Sequence, residues 1–174
     1  MRVLVPALLV LLALVARGED GQTQLPFTPF ANARTGDYCV EAVGTRTVTT
    51  RVLRVDGTAV TISRDGQEET VSTKEPPSVA TFLGRFEKSR ISAWRVLPDR
   101  IDLGGKEVAC KRLTFSARSK DEQASVAIWF SDKVKGRGVL LMRVRFHEAQ
   151  GERTVETRLV EYGSSDAAEW KRKP

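Results

Sequence analysis

The sequence predicts a mainly β protein, a curved antiparallel sheet or half-barrel with one short helix, behind an N-terminal signal peptide. Three observations carry this. Short runs of strand texture recur from Tyr38 to Tyr162 and are separated by glycine-bearing turns, the period-2 signature of half-buried strands. One segment alone, VATFLGRF at 79–86, shifts to a spacing of three and four. The chain opens MRVLVPALLVLLALVARGED, with Arg2 ahead of an unbroken apolar stretch from Val3 to Ala16.

That opening has the plan of a secretory signal: a basic start, an apolar centre, then small residues Ala16 and Gly18 at −3 and −1 of a cut after Gly18. A membrane-spanning helix needs about 20 apolar residues, and this stretch is shorter and contains Pro6. The expected domains are therefore a signal peptide over 1–18, an exposed leader over 19–35, a single antiparallel β domain over 36–165 and a charged tail over 166–174. Within the leader, Phe27 and Phe30 are placed to dock on the domain edge. The export signal predicts a periplasmic or secreted protein with no transmembrane segment in the mature chain.

The element-by-element reading begins with YCVEAV (38–43) and VTTRVLRV (48–55). The latter reaches a turn at Asp56-Gly57 and returns as TAVTIS (58–63). Asp-Gly suits a two-residue turn because both central residues tolerate positive φ. A second turn at Arg64, Asp65 and Gly66 leads to a strand over 68–72, which makes a meander. Next come a loop, TKEPPS, and the amphipathic segment. Val79, Phe82, Leu83 and Phe86 fall at i, i+3, i+4 and i+7 on one helical face, with Ser78 as N-cap. Strand texture resumes at ISAWRVL, stops at Pro98, continues as RIDL, turns at Gly104-Gly105 and runs through EVACKRLTFSA, whose two faces are equally mixed. SKDEQ is a hairpin loop. SVAIWF, a basic turn, VLLMRVRF, the loop AQGE and RTVETRLVEY complete about nine or ten strands.

Composition narrows the function classes. The formal charge is +6, and loss of Arg2 and Arg17 with the signal brings it to +4, too small a surplus to mark a polyanion binder. Export argues further against nucleic acid. Cys39 and Cys110 are the only cysteines and lie outside any CxxC pair, so they form either one disulfide or two small buried residues on neighbouring strands. His147 is the only histidine, and it reads as a solvated residue at a strand end, beside Arg143 and Arg145 on the polar face. Motifs such as GxSxG, SxxK, HExxH, Walker A and GxGxxG are missing. The expectation is a protein with no enzymatic activity, no cofactor and no metal.

The basic residues Lys133, Lys135, Arg137, Arg143 and Arg145 cluster on one hairpin. They read as a ridge for a lipid headgroup or an acidic envelope partner, or as a solvated face balanced by Glu152, Glu156 and Glu161. Trp129 and Phe130 point to opposite faces of their strand.

The order GDYCV, the meander, GGKEVACKRLTF, SVAIWFSDKVKGRGVLLMRVRF and a last strand ending LVEYG, over residues 36–163, resembles small exported bacterial β-proteins of uncharacterised function. These are similar to the outer-membrane lipoprotein carrier superfamily. The most specific parts are Gly105-Lys106 with Cys110, and Trp129-Phe130-Ser131-Asp132 ahead of Gly138-Val139. The resemblance implies a half-barrel with a hydrophobic groove for acyl chains and no catalytic machinery. The expected function is an exported, non-catalytic binding module for a lipid-like or hydrophobic ligand. That ligand would be held by Val79, Phe82, Leu83 and Phe86, with Trp129 lining the cavity and Arg143 and Arg145 near a headgroup. The alternative is a cell-envelope interaction or structural protein working through the basic hairpin 133–145.

Overall fold

The computed structural model describes residues 24–165 apart from Lys88, Ala93 and Asp121. The expected signal peptide, the first part of the leader and the tail 166–174 lie outside the described residues. Ten strands form one open antiparallel sheet that is not closed into a barrel. They are β1 (Asp37–Val43), β2 (Arg46–Asp56), β3 (Ala59–Arg64), β4 (Gln67–Ser72), β5 (Arg90–Ile91), β6 (Arg95–Leu103), β7 (Lys106–Arg118), β8 (Gln123–Phe130), β9 (Val139–Glu148) and β10 (Gly151–Ser164). Their order is β4-β3-β2-β1-β10-β9-β8-β7, with β5 and β6 both pairing β7. Two meanders thus meet where β1 joins β10, the pairing with the longest sequence separation. Pro98 does not end β6, which runs through it opposite Lys111. An edge strand tolerates a residue without an N–H.

The turns show how local chemistry sets register. Asp65 (φ 50°) and Gly66 (φ 85°) form the two-residue connection between Arg64 and Gln67, with both central residues left-handed as a type I′ turn requires. The Asp56-Gly57 turn falls one residue later than the sequence suggests. Asp56 pairs with Ala59, so Gly57 (φ 55°) and Thr58 are the central residues. Only the first of them needs positive φ, a II′ pattern that leaves Asp56 in the strand.

Between β4 and β5 the chain crosses from one sheet edge to the other. The crossing carries α1 (Val79–Leu83), as the spacing predicts, but the helix is five residues long. The Ser78 side chain accepts from the Thr81 N–H at 3.1 Å, and Gly84 closes the helix in the left-handed conformation. So short a helix is unstable alone and is held by packing. Val79, Phe86, Trp94 and Leu25 are buried against Leu113, Phe115, Ile128, Val144 and Phe146 of β7–β9. We call this side of the sheet its inner face. Phe86 lies beyond the helix at φ 73°, a costly geometry for a bulky residue. Its buried ring stacks on Phe146 at 6.2 Å, which offsets that cost. The mixed faces of β7 also resolve: Leu113, Phe115 and Ala117 are buried on the inner face, and Cys110 is the one buried residue of the opposite face.

The described part of the leader is not exposed throughout, and Phe27 and Phe30 dock as expected. Leu25 is 2% exposed and donates its N–H to the Pro77 carbonyl, while Phe30 is buried with Val52, Val60 and Ile62. Phe27 stacks on Phe130 at 4.3 Å and meets Phe82 edge-on at 5.6 Å. Residues 24–32 are therefore an arm built into the core. Removing the apolar side chains Leu25, Phe27 and Phe30 from water favours the docked arm. Among the described residues no helix is long and apolar enough to cross a membrane.

Candidate functional site

The arm leaves an open pocket of about 420 Å³ between itself, the start of β7 and the loop 131–138 that joins β8 to β9. Pockets that hold small ligands are commonly about 300–1,000 Å³. Phe27, Phe30, Phe130 and Val134 form its apolar wall, and Lys111, Lys133 and Arg137 bring positive charge to it. The Asn32 amide donates to the Asp132 carbonyl at 3.5 Å and ties arm to loop.

The loop is fixed by charges that the sequence does not mark as partners. Asp37, Cys39 and Glu41 alternate along β1, and all three are buried on one face. Lys135 reaches Asp37 at 3.4 Å, and the Ser164 hydroxyl donates to the same carboxylate oxygen. Arg137, with 13% of its side chain exposed, meets Glu41, which is 1% exposed, at 3.7 Å. The Arg137 guanidinium lies 4.2 Å from the Phe82 ring centroid and donates to the Phe82 carbonyl at 3.3 Å. Burial pulls the Arg137 pKa down while Glu41 opposes the shift, as expected for a charge paired out of water. Glu41 Oε2 is buried and accepts no hydrogen bond among the described residues. The turn lysines and arginine expected to stand in solvent thus divide. Lys133 and Lys135 are both exposed, but Lys135 also reaches β1 through Asp37, and Arg137 is drawn out of solvent to clamp the loop to β1.

Gly136 sits between them because a Cβ there would lie 3.2 Å from the Cys39 sulfur. Cys39 and Cys110 are free thiols buried in one cluster with Val134, Leu140 and Leu159, although their strands, β1 and β7, are not neighbours in the sheet. Burial first, and then Glu41, pushes the Cys39 thiol pKa up; burial and then Asp99 do so for Cys110. An acid whose pKa is higher folded than unfolded favours folding fully below the unfolded value, about 8.5 for a thiol. That contribution is lost as pH rises through the folded value. Iodoacetamide at pH 8 should therefore leave Cys39 unmodified in the native protein and alkylate both cysteines in denaturant. Native alkylation of Cys39 at the denatured rate would contradict the packing.

The ligand set expected from the sequence is split by the sheet. Val79 and Phe86 are buried in the inner core, and Phe82 and Leu83 pack against it, so this face is filled by side chains rather than grooved. Trp129 pairs with Arg112 and Leu141, opposite in parity to Ile128 in the inner core, and so lies on the outer face. Its indole N–H donates to Asp99 at 2.9 Å, and the guanidiniums of Arg112 and Arg143 flank its ring at 5.9 and 5.8 Å. The Arg100 backbone N–H and then the Trp129 indole hold the Asp99 carboxyl below the usual carboxylate range. Arg143 and Arg145 share this outer face. Arg143 donates twice to Glu156, at 3.0 and 2.7 Å, and Arg145 lies 3.6 Å from Glu152, as in the balanced-face alternative. Trp129, Arg143 and Arg145 cannot line one cavity with the helix.

His147 stands near the end of β9, part-exposed as expected, but it is not without partners. It is 32% exposed, and both ring nitrogens face partners: Nε2 lies 2.9 Å from Ser125 Oγ and Nδ1 lies 3.0 Å from Glu152 Oε1. The three residues come from three strands, which is why spacing along the chain does not reveal them. Among the described residues no group of three or more His, Cys, Asp or Glu is placed to hold a metal ion. Compared with family models, with curated proteins and with solved structures, the chain matches none of them.

Proposed function

We propose that the protein is an exported binding module that holds, without transforming it in the pocket, a lipid-like ligand with one anionic end. The observation that carries this reading is the pocket between arm, β7 and loop 131–138. Phe27, Phe30 and Phe130 supply an apolar wall, and Lys111 and Lys133 supply positive charge without closing the opening. Apolar burial gives affinity, and an ammonium at the mouth orients the charged end. The resemblance to the lipoprotein carrier superfamily points to the same ligand class. Its site, however, is moved from the expected helix face to the pocket at the end of the sheet, and Trp129, Arg143 and Arg145 drop out of it.

Titration with dodecanoate, followed by calorimetry, tests the reading. Saturable one-to-one binding is expected, weakened at least tenfold in a Lys111→Glu/Lys133→Glu variant that melts like the parent. Equal affinity in the variant, or no saturable binding, would count against the pocket. Loss of an acidic partner rather than of dodecanoate, on charge reversal at 133–145, would favour the envelope-interaction reading.

A further inference from the structure

The outer face carries a shallow basin of about 460 Å³, separate from the pocket, lined by Ser92, Arg95, Thr114, Ser116, Ser125, Trp129, Arg143 and Arg145 among others. Its floor is made of small side chains on β7 and β8, so a ligand can approach the sheet closely. Its rim is three guanidiniums and one indole. Among the described residues Arg95 meets no carboxylate, whereas Arg143 and Arg145 each have one.

At one end of this floor stands Ser125. On β9 its Cα partner is Arg145, and His147 is the next residue along on the same face. His147 in turn pairs directly with Glu152 of β10. The register therefore brings a hydroxyl, an imidazole and a carboxylate into line across three strands, with contacts of 2.9 Å and 3.0 Å. A carboxylate only accepts, so the proton between His147 and Glu152 belongs to Nδ1. In the neutral imidazole this leaves the lone pair on Nε2, the nitrogen that faces Ser125 Oγ. The other Glu152 oxygen, Oε2, lies 3.6 Å from the Arg145 Nε. The carboxylate is thus held on both sides, and the tautomer is fixed.

We propose that Ser125 is a nucleophile for acyl transfer, with His147 as its base and Glu152 as the positioning residue, acting on carboxylic esters that bear a second anionic group. Ser125 Oγ attacks the ester carbonyl while its proton passes to His147 Nε2. The tetrahedral oxyanion forms in a basin bordered by the Arg95, Arg143 and Arg145 guanidiniums. Collapse breaks the bond to the alkoxide, which takes the proton back from His147, and leaves an acyl ester on Ser125. Water then attacks that ester, its proton taken by His147 Nε2, and collapse releases the acid while His147 returns the proton to Ser125 Oγ and restores the free serine. The net reaction is ester plus water giving acid plus alcohol, with no redox partner. The rim arginines favour the anionic substituent, and the Trp129 ring offers an apolar edge beside it. This basin shares no lining residue with the lipid-like pocket and does not depend on that reading.

The test has two parts. The native protein is treated with a fluorophosphonate and the adduct is mapped by peptide mass spectrometry; hydrolysis of 4-acetoxybenzoate is then compared with that of neutral phenyl acetate. A single adduct on Ser125 is expected, absent in Ser125→Ala. The labelling rate should fall about 100-fold in His147→Gln, the low end for loss of a general base. Glu152→Gln should slow labelling too. Glu148→Gln, on the same hairpin but paired with Arg153, should label like the parent. The anionic ester should be hydrolysed faster than the neutral one, a preference lost in Arg95→Met. All these residues are at the surface, so circular dichroism should show parent-like folding in each variant. No adduct on Ser125, or a His147→Gln protein that labels as fast as the parent, would overturn the proposal.

Discussion

An Arg137→Met protein is expected to lose about 3–5 kcal/mol of unfolding free energy, because the substitution leaves the Glu41 carboxylate buried and unpaired. Against a typical total of about 5–15 kcal/mol, this is enough to unfold a marginal chain at ordinary temperature. Three contacts go at once: the ion pair at 3.7 Å, the hydrogen bond to the Phe82 carbonyl and the guanidinium over the Phe82 ring. The cost of the stranded charge exceeds the others, and that ranking is testable. A Glu41→Leu/Arg137→Met double variant replaces both ions by apolar groups and should recover most of the loss, since buried pairs often gain little over a hydrophobic isostere. Urea denaturation of parent, single and double variants decides it. A single-variant loss below about 1 kcal/mol would mean that Glu41 finds water or another donor.

Leu25→Ala is expected to cost about 2–5 kcal/mol, the range for emptying a fully buried leucine site. An exposed leader predicts instead a change within about 0.5 kcal/mol. The comparison therefore separates the two readings of residues 24–35 by several times the experimental error. Leu25 packs with Val79, Phe86 and Trp94 in the inner core, and its N–H is bonded to Pro77 in the crossing segment. Its loss should loosen arm and helix together and so reduce ligand affinity at Phe27 as well. A surface-like effect on both readouts would return the arm to the status of a leader.

What the sequence shows and what it hides follow from the range of each interaction. The strands, the Asp65-Gly66 turn and the Ser78 cap rest on neighbours within a few residues, and those patterns are legible. The Asp56-Gly57 turn slips by one because Asp-Gly suits I′ and II′ connections alike once register is free. The arm is hidden only in part: Phe27 and Phe30 are legible as docking residues, but Leu25 follows no period and the prolines mimic a solvated linker. The buried Asp37 and Glu41 are hidden for another reason. Their positions alternate with Cys39 on an inward face, a hint of burial, yet the compensating Lys135 and Arg137 stand almost a hundred residues away. The split of Trp129 from the helix was within reach, since Trp129 and Phe130 must face opposite ways. The side that the helix covers was not, because it depends on which face the segment between β4 and β5 crosses. Ser125, His147 and Glu152 belong to the same class: each looks ordinary on its own strand, and only the register aligns them.

Native mass spectrometry of the protein, purified without detergent from its own host, addresses the pocket most directly. A reproducible extra mass that passes into organic solvent is expected for the parent, and its loss is expected in the Lys111→Glu/Lys133→Glu variant. A bare polypeptide mass from the parent, or the same extra mass on both proteins, would contradict a lipid-like ligand held between the arm and the loop 131–138.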